Sequence, residues 1–451
     1  MKSTQRREGR RVRRRLATLL AGAAVVGLAL AGCSSSGSSG SGSISVMNRW
    51  SDPVGKVAAQ HLFDGFTKAT GIKVQNQVQP NSGSTYQPAV RTALSSSNPP
   101  SLASDISGPE VYNFAKSGVI QDITSFYNST IKSRALGGAV TGNTYEGKVY
   151  GVSTGYNVGN LIWFNPVYLK KYGIEASSIH TFEDMLAAMK KIKSAGGNAA
   201  VIGAKDQWPG GHYLNDLVQR ALGSKATQQL YDRSVSAGQP DTPKWTDPEV
   251  VNALQAYVDM KPYFQDGFLG EAQATADSLF LKGDVGFYEM GSWFLNTIQA
   301  SQPSFTPGVM LFPPFKDGKG KGTDITIANS VLMVSKKADT ASTEKFLEYL
   351  SRPEVASQYQ KESLSFMPYK TNSSALDVDK SIKTQWNTIS GFVKDTGSDG
   401  SALYNDQGID VNIYTKYIWQ GSVGLMSGDI TPQQLAQQLE SATEAAQKAN
   451  G

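Results

Sequence analysis

The sequence predicts an α/β protein, because short apolar strands alternate along it with helices that bury one face. Residues 44–50 have the composition of a strand, and residues 72–78 alternate in polarity with a period of two. The helix between them ends at Gly71, and its apolar face consists of Ala58, Ala59, Leu62, Phe63 and Phe66. Roughly 410 residues follow the N-terminal segment, too many for one typical hydrophobic core, so we expect two domains.

Capping patterns indicate where three further helices begin. In a capping box, a Thr hydroxyl and an acidic or amide side chain three residues later satisfy free amides at the helix start. The pattern occurs in three pairs: Thr181 with Asp184, Thr246 with Glu249, and Thr431 with Gln434. Strands are predicted over residues 199–204 and 285–290, and after the second strand Gly291 and Ser292 turn the chain into a helix.

The N-terminus predicts export and a lipid anchor. Residues 1–15 carry eight basic residues and one acidic residue, and the uncharged run that follows is shorter than the roughly 20 residues a membrane-spanning helix needs. The sequence "LAGC", which ends at Cys33, resembles the lipobox of bacterial lipoproteins, and Cys33 is the single cysteine of the chain. We expect residues 1–32 to be a signal peptide, Cys33 to be lipidated, and residues 33–43 to be a Ser/Gly tether. The protein would then be anchored on the extracytoplasmic face of a bacterial cell membrane.

The charge pattern argues against a nucleic-acid partner. The full chain has a formal charge of +5, but without residues 1–32 it retains 35 basic and 37 acidic residues, a net charge of −2. The apparent basicity therefore belongs to the export signal, and the rest of the chain has no basic stripe.

Catalytic and cofactor motifs are weak or missing in the sequence. Ser153 lies in "GVSTG", which matches the G-x-S-x-G pattern of serine hydrolases, but the residues that follow look extended where a nucleophile elbow needs a helix. The oxygen-rich segment 397–410 is more typical of a solvated turn than of a calcium loop. No phosphate-binding or metal-ligand motif occurs, so we expect no cofactor, no metal and no catalysis. A hydrolase that uses Ser153 or a pair of carboxylates stays as an alternative.

Aromatic residues stand in places typical of turns and element ends. These are Trp50, Tyr86, Tyr156, Trp208, Trp293 and Trp419. Trp and Tyr rings pack on the flat C–H faces of sugars, whereas Asp and Asn side chains bind sugar hydroxyls. The set of aromatic residues therefore favours a carbohydrate-binding site, with Asn157 beside Tyr156 as a polar contributor.

Several segments, in order, resemble the extracellular solute-binding proteins of family 1, the sugar-capturing lipoproteins of ABC importers. They include "HLFDGFTKATGIKVQNQV", "YEGKVYGVSTGYNVGNLIWFNPVYLKKYGI" and "LFLKGDVGFYEMGSWFLN". The resemblance covers nearly all of the chain after the tether. This chain departs from the family pattern at Ser101, Phe182 and Asp284, where the family usually has Asp, Trp and Lys.

The resemblance implies a two-lobed binding-protein fold of type II, similar to maltose-binding protein, with a ligand cleft between lobes that a multi-strand hinge joins. The N-terminal lobe would comprise residues 44–153 and 328–370, and the C-terminal lobe residues 154–327 and 371–451. A monomer would capture a mono- or oligosaccharide by closing its lobes and deliver it to ABC permease subunits. Capture of a non-sugar solute by the same fold is a further alternative.

The resemblance also implies which residues bind the ligand. Trp293 matches the family's cleft Trp after Gly-Ser, Trp208 falls where another cleft aromatic usually lies, and Asp105 takes the role of the Asp that Ser101 replaces. The complete expected set is Trp50, Tyr86, Asp105, Tyr156, Asn157, Trp208, Gly291, Ser292, Trp293 and Phe366.

Overall fold

A computed structural model describes residues 42–80, 83–136, 139–140, 142–236, 241–371, 378–396 and 400–450. The expected signal peptide, the lipidation site at Cys33 and the tether as far as residue 41 lie outside the described residues. Among the described residues, no helix is both long enough and apolar enough to span a bilayer.

The strands range from two to ten residues in length. They are β1 (Ser43–Asn48), β2 (Lys73–Val78), β3 (Leu102–Ile106), β4 (Thr144–Tyr145), β5 (Lys148–Val149), β6 (Gly151–Val158), β7 (Leu161–Phe164), β8 (Asn198–Val201), β9 (Val285–Glu289), β10 (Gly308–Leu311), β11 (Ile325–Val334) and β12 (Ser401–Leu403).

Helices separate most of these strands. They are α1 (Pro53–Thr70), α2 (Gly83–Leu94), α3 (Pro109–Lys116), α4 (Thr124–Phe126), α5 (Pro166–Lys171), α6 (Phe182–Ser194), α7 (Trp208–Leu222), α8 (Ser224–Asp232), α9 (Pro248–Asp259), α10 (Gln273–Leu281), α11 (Phe294–Ser301), α12 (Thr340–Leu350), α13 (Pro353–Ser363), α14 (Lys383–Asp395), α15 (Asn405–Gly408), α16 (Val411–Ile413), α17 (Gln420–Ser427) and α18 (Pro432–Asn450). Tyr127–Ile131 and Tyr414–Trp419 are π-helical.

Two larger sheets organise the protein into two lobes. The first sheet has the order β12-β11-β3-β1-β2, and β6 also pairs with β11. The second sheet has the order β10-β7-β9-β8. Strands β4 and β5 form a small hairpin of their own. The predicted α/β class is therefore confirmed, and the two-lobed architecture with it.

Among the described residues, three segments lead from one sheet to the other sheet or to its core, and we call them crossovers. The first crossover, residues 159–160, joins β6 of the first sheet to β7 of the second. The second crossover, residues 312–324, leads back from β10 to β11. The third crossover is Tyr404, which joins β12 of the first sheet to α15. The helices after it contribute Ile409, Val411 and Tyr414 to the core around the second sheet.

Buried side chains near the crossovers do not separate cleanly by sheet. Val158 of β6, Trp163 of β7 and Ile327 of β11 belong to one apolar cluster, although β7 is in a different sheet from the other two strands. The residue bounds expected for the lobes consequently stay a prediction.

Local signals in the sequence located several helix ends. Helix α1 ends at Gly71, which has φ 76°, and all five residues of its predicted apolar face are buried. Helix α6 begins at the predicted capping box of Thr181 and Asp184. Thr431 and Gln434 also exchange both hydrogen bonds of a capping box before α18.

Several local predictions are wrong. The cap of α9 is Asp247 rather than Thr246, because Pro248 takes the first helical position. The strand expected over 199–204 is shifted to Asn198–Val201. Tyr86 lies inside α2 and Trp419 inside a π-helical turn, although both were expected in turn-like places. Both side chains are buried, so tertiary packing decided their environment.

The capping box of α6 offers a test of the fold. We expect Thr181→Ala to lower the free energy of unfolding by about 1 kcal/mol, since the Thr181 hydroxyl accepts a bond from the Asp184 amide. Urea denaturation measures the change, and Thr246→Ala is a matched control because Thr246 does not cap its helix. Equal losses in the two variants would contradict the assignment of the caps.

Candidate functional site

Four aromatic rings meet beside the crossovers, and we call them the aromatic cluster: Trp208, His212, Trp293 and Tyr404. The His212 ring stacks on Tyr404 at 3.8 Å between centroids and 11° between planes. The Trp208 ring meets His212 edge to face at 4.7 Å, and the Trp293 ring lies 5.9 Å from His212. His212 and Tyr404 are buried, whereas Trp208 and Trp293 are half-buried and present ring surface to solvent.

Trp208 and His212 lie on the same face of α7, because residues four apart are neighbours on a helix. Trp208 is the first residue of α7, and Pro209 follows it at a position where proline suits a helix start. Gln207, immediately before, has φ 67° and ψ −46°, an uncommon backbone conformation for a residue other than glycine. This turn directs the chain from the 3-10 segment Ala204–Asp206 into α7 and thereby places the Trp208 ring.

Trp293 lies between β9 and α11, as the sequence predicted. Its indole Nε1 donates to Met290 Sδ at 3.0 Å. A Cβ at Gly291 would collide with the Trp293 ring, so only glycine permits this ring position. Phe287 and Met290, on the preceding strand and turn, are fully buried, so the half-buried Trp293 ring is the part of this segment that solutes can reach.

Tyr404 is held beside His212 by its own contacts, and its ring centroid lies 6.3 Å from that of Trp293. Its hydroxyl donates to Glu289 Oε1 at 3.4 Å. The ring passes so close to Gly159 that a Cβ there would overlap it. The first crossover and the third crossover are therefore in contact at the aromatic cluster.

One carboxyl group lies beside the rings, and two more are buried on β3 and α3. Asp406 Oδ2 is 3.8 Å from His212 Nε2. Asp105, at the end of β3, is fully buried, and its Oδ1 accepts from the Ile106 amide. Glu110 of α3 is also buried and pairs with both ends of the Arg91 guanidinium.

Tyr414 connects these acidic groups electrostatically. Burial raises the pKa of the Tyr414 hydroxyl well above its usual value, and the negative charges of Glu110, Asp406 and Asp105 raise it further. The negative charges that act on the Tyr414 hydroxyl therefore belong to residues on both sides of the crossovers. Its position in a π-helical turn fits the frequent occurrence of such turns at functional sites.

Burial controls the ionisation of Asp105. It raises the pKa of this carboxyl to about 7, and the charge of Glu110 acts in the same direction, whereas the Arg49 guanidinium opposes both. Burial also raises the pKa of Glu110, against the opposing effect of its partner Arg91. Asp105 therefore exchanges its proton near neutral pH.

Two more acids lie behind the cluster. Burial raises the pKa of Asp216 to about 8, while the Arg220 charge opposes the shift. Burial raises the pKa of Glu289 well above its usual value, and the charge of Asp216 adds to the effect. Tyr404 thus donates to a carboxyl whose pKa burial raises well above its usual value.

Several buried polar atoms at the site have no hydrogen-bond partner among the described residues. They are Asp105 Oδ2, Asp406 Oδ1 and His212 Nδ1. Buried polar atoms are normally paired, and those that are not need an explanation. Carboxylate oxygens and an imidazole nitrogen beside aromatic faces can bind the hydroxyls of a ligand whose C–H faces stack on the rings.

The structure brings together part of the residue set expected from the sequence. Trp208 and Trp293 are neighbours, with 6.5 Å between ring centroids. Ser292 donates from its hydroxyl to Asn157 Oδ1 at 3.2 Å and from its amide to Val158 O at 2.8 Å. Asn157 at the end of β6 and Gly291 and Ser292 after β9 consequently support the cluster.

The other expected residues lie at varying distances from the rings. The Tyr156 amide donates to Phe366 O at 2.7 Å, and the Phe366 ring stacks on Trp386 at 4.2 Å. Both Tyr156 and Phe366 share an apolar cluster with Trp208 and Trp293. They therefore lie near the site without a ring contact to it among those described.

Tyr86 and Trp50 belong to the first lobe. The Tyr86 hydroxyl donates to Ser104 O at 2.6 Å, and Arg49 lies over its ring at 5.8 Å. Because Asp105 raises the pKa of Tyr86, these two expected residues interact. Trp50 is half-buried and packs on Phe63 and Tyr359.

Sequence reasoning missed His212, Tyr404 and Asp406. The spacing of four residues from Trp208 could have indicated His212, because it puts both rings on one helix face. Tyr404 and Asp406 lie in the segment interpreted as a solvated turn, and that interpretation is wrong, because Tyr404, Asn405 and Gln407 are buried. No local pattern pairs them with α7, from which almost 200 residues separate them.

Ser153 does not have the setting of a catalytic nucleophile. It lies inside β6 and is buried, and its hydroxyl binds Asn143 and Ala139 O. A nucleophile elbow instead exposes its Ser on a sharp turn from a strand to a helix.

The buried Asp105 predicts a pH dependence of stability. Its pKa of about 7 in the folded protein exceeds its usual value of 3.8, so the unfolded chain releases the proton first as pH rises. The Asp105 contribution to the free energy of unfolding should decrease from about pH 4 to about pH 7 and then stay constant. Asp105→Asn removes the titrating group, so the variant should gain stability relative to the wild type across this interval.

Denaturant melts at several pH values measure that difference, with Asp64→Asn on the exposed face of α1 as control. A pH-independent difference between Asp105→Asn and the wild type would contradict the buried titration.

The sequence of this chain matches a known protein family. The profile of the family described as bacterial extracellular solute-binding protein matches residues 51–357. An uncharacterized ABC transporter extracellular-binding protein from Pyrococcus horikoshii is 21% identical over 331 residues, which cover 72% of this chain and 72% of that protein. A carbohydrate ABC transporter substrate-binding protein from Streptococcus pneumoniae is 27% identical over 188 residues, 38% of this chain and 35% of that protein.

A solved structure has the same fold. The bacterial solute receptor AcbH, described as having an exclusive preference for β-D-galactopyranose, superposes with a TM-score of 0.77 at 20% identity. The superposition covers 91% of this chain and 100% of that chain. The two-lobed binding-protein fold implied by the resemblance is therefore confirmed. Because the family profile spans more than half of the sequence, the chain belongs to the family of bacterial extracellular solute-binding proteins.

Proposed function

We propose that the protein is the solute-binding component of an ABC importer and captures a mono- or oligosaccharide at the aromatic cluster. The observation that carries the proposal is the meeting of two half-buried tryptophans, Trp208 and Trp293, around His212, whose Nε2 lies 3.8 Å from Asp406 Oδ2. Ring faces provide apolar stacking for the sugar, and carboxyl oxygens select the orientation of its hydroxyls. The site lies beside the crossovers, where relative movement of the lobes would enclose a ligand.

The relatives support the same proposal. One is a carbohydrate ABC transporter substrate-binding protein, and the AcbH receptor is described with a sugar preference. As in the sequence analysis, the ligand would pass to permease subunits, and the protein would act as a monomer that releases its ligand unchanged. The set Trp50, Tyr86, Asp105, Tyr156, Asn157, Trp208, Gly291, Ser292, Trp293 and Phe366 stays our proposed ligand site, to which we add His212, Tyr404 and Asp406.

Two alternatives make different predictions. A non-sugar solute would leave the fold and the importer role intact but would change the ligand class. A hydrolase would consume its substrate. The internal position of Ser153 in β6 disfavours this alternative. Thermal-shift measurements with galactose, raffinose, stachyose, xylo-oligosaccharides and chitin oligosaccharides separate these cases. A bound sugar at a hundredfold excess over its Kd should stabilise the fold by about 2.7 kcal/mol.

Chromatography of the incubated sugar completes this test. Recovery of the unchanged sugar is the expected result, and appearance of smaller products would support the hydrolase instead. If no sugar raises the melting temperature while amino acids, polyols or peptides do, the sugar proposal is wrong.

Removal of one stacking ring should weaken binding. We expect Trp293→Ala to raise the Kd for the best sugar of the panel at least tenfold, equivalent to about 1.4 kcal/mol of lost stacking. Isothermal titration calorimetry measures the Kd, and Tyr263→Ala removes a half-buried ring packed against the core of the second lobe as a control. An unchanged Kd in Trp293→Ala, or an equal loss in the control, would contradict a ligand-stacking role.

We also propose that Cys33 carries the lipid that tethers the protein to the membrane. Cys33→Ser should move the exported protein from the membrane fraction to the soluble fraction, since two acyl chains together anchor a protein stably. Cell fractionation and the mass of the N-terminal peptide measure this outcome. A Cys33→Ser protein that stays with the membrane and has the same mass shift as the wild type would contradict the proposal.

A further inference from the structure

Helix α7 carries ring and amide side chains on one face. Residues 208, 212, 215 and 219 follow one another at intervals of four, three and four, the spacing of a single helical stripe. The first two are Trp208 and His212 of the aromatic cluster, and the other two are Asn215 and Gln219. Every residue of α7 after Trp208 is buried, so the polar side chains of the stripe must find partners inside the protein.

Gln219 binds the first crossover to the start of β11, which follows the second crossover. Its Oε1 accepts from Asn160 Nδ2 at 3.2 Å, and Asn160 belongs to the first crossover. Its Nε2 donates to Ile325 O at 2.9 Å, where the second crossover enters β11. Asn160 Nδ2 also donates to Asp324 O at 2.9 Å, so the two crossovers are bonded to each other as well as to α7.

Asn215 binds the residues that follow the second and third crossovers. Its Nδ2 donates to Thr326 Oγ1, in β11, at 3.1 Å. Its Oδ1 accepts from the amide of Asn405, immediately after Tyr404, at 3.0 Å. The side chain of Asn405 donates back to Gly211 O of α7 at 2.6 Å. Asn405 is thus bonded to α7 through both its backbone and its side chain.

Thr326 joins the two amide side chains. Its hydroxyl accepts from Asn215 and donates to Gln219 Oε1 at 2.9 Å, and its own amide donates to Asn160 Oδ1 at 2.8 Å. These groups are at most 1% exposed, so water cannot readily replace the bonds. We call Asn160, Asn215, Gln219, Thr326 and Asn405 the crossover network.

We infer that Asn215 and Gln219 are positioning residues for ligand capture, which hold the three crossovers as one unit on the helix face that carries Trp208 and His212. A ligand that displaces either ring acts on the same helix that fixes the crossovers. The crossovers therefore change conformation together with α7. The link to capture depends on the proposed function, whereas the joint behaviour of the crossovers does not.

Hydrogen exchange on the ligand-free protein tests the joint behaviour. Thr326→Val keeps the shape of the side chain and the backbone bonds of β11 but removes the hydroxyl that joins Asn215 to Gln219. We expect exchange to accelerate by about tenfold, the factor for one net hydrogen bond, at residues 159–160 and also at residues 404–408. The Thr326 hydroxyl makes no described contact with the second of these segments, so acceleration there reports coupling.

Matched controls separate coupling from a general loss of stability. Thr343→Val removes a buried hydroxyl that donates to Asp339 O inside α12, away from the crossovers. Gln219→Met is a second test of the network, and Gln385→Met removes a buried amide that donates to Pro307 O at 2.7 Å. The network variants should accelerate amide exchange in all three crossovers. The control variants should not accelerate exchange in the crossovers more than elsewhere. Acceleration confined to the directly bonded segment, or equal acceleration in the controls, would overturn the inference.

A binding measurement tests the link to capture. Stopped-flow tryptophan fluorescence with the best sugar of the panel should show at least about fivefold faster dissociation from Thr326→Val than from Thr343→Val, because most affinity changes appear in the dissociation rate. If Thr326→Val accelerates amide exchange in the crossovers but releases the sugar at the same rate as Thr343→Val, the role in capture is overturned. The conclusion that the crossovers behave as one unit would then still hold. Coupled exchange in a protein that binds no sugar would instead refute the proposed function.

Discussion

The antiparallel pairing of β6 with β11 is the interaction on which the rest of the structure depends. The two strands pair from Gly151 with Met333 to Val158 with Ile327, and at the end of this ladder each connects to the second sheet. A chain that passes between two cores must satisfy its backbone polar groups on the way. Continuation of the ladder by the bond from the Gly159 amide to Thr326 O meets this need without a long exposed linker.

Local signals predicted the framework of the fold well. The apolar face of α1, the Gly71 terminus and the Thr181 capping box depend on neighbours a few residues away, and all are present. Thr246 failed as a cap because Pro248 takes the first helical position, which makes Asp247 the N-cap. Tyr86 failed as a loop residue because its helix packs against β3, which a local pattern does not reveal.

The candidate site was only partly predictable, for a physical reason. Trp208 and Trp293 stand at helix starts with Pro or Gly beside them, and such signals are local. Tyr404 stacks on His212 although nearly 200 residues separate them, so their contact depends on the third crossover. The ionisation of Asp105 depends on burial and on Glu110, neither of which composition reports. Contacts that depend on the topology of the chain can be recognised only when the fold is known.

The position of the rings and the amides on one helix has a consequence for protein engineering. A change of solute preference can be sought by replacing the Trp208 ring, because that side chain is half-buried and its loss leaves the buried amides in place. Transplanting the whole of α7 from a relative would import foreign partners for Asn160, Thr326 and Asn405 at the same time. Ligand recognition in this protein can therefore be changed one residue at a time. Helix α7 as a whole, in contrast, depends on its buried hydrogen-bond partners in the rest of the protein.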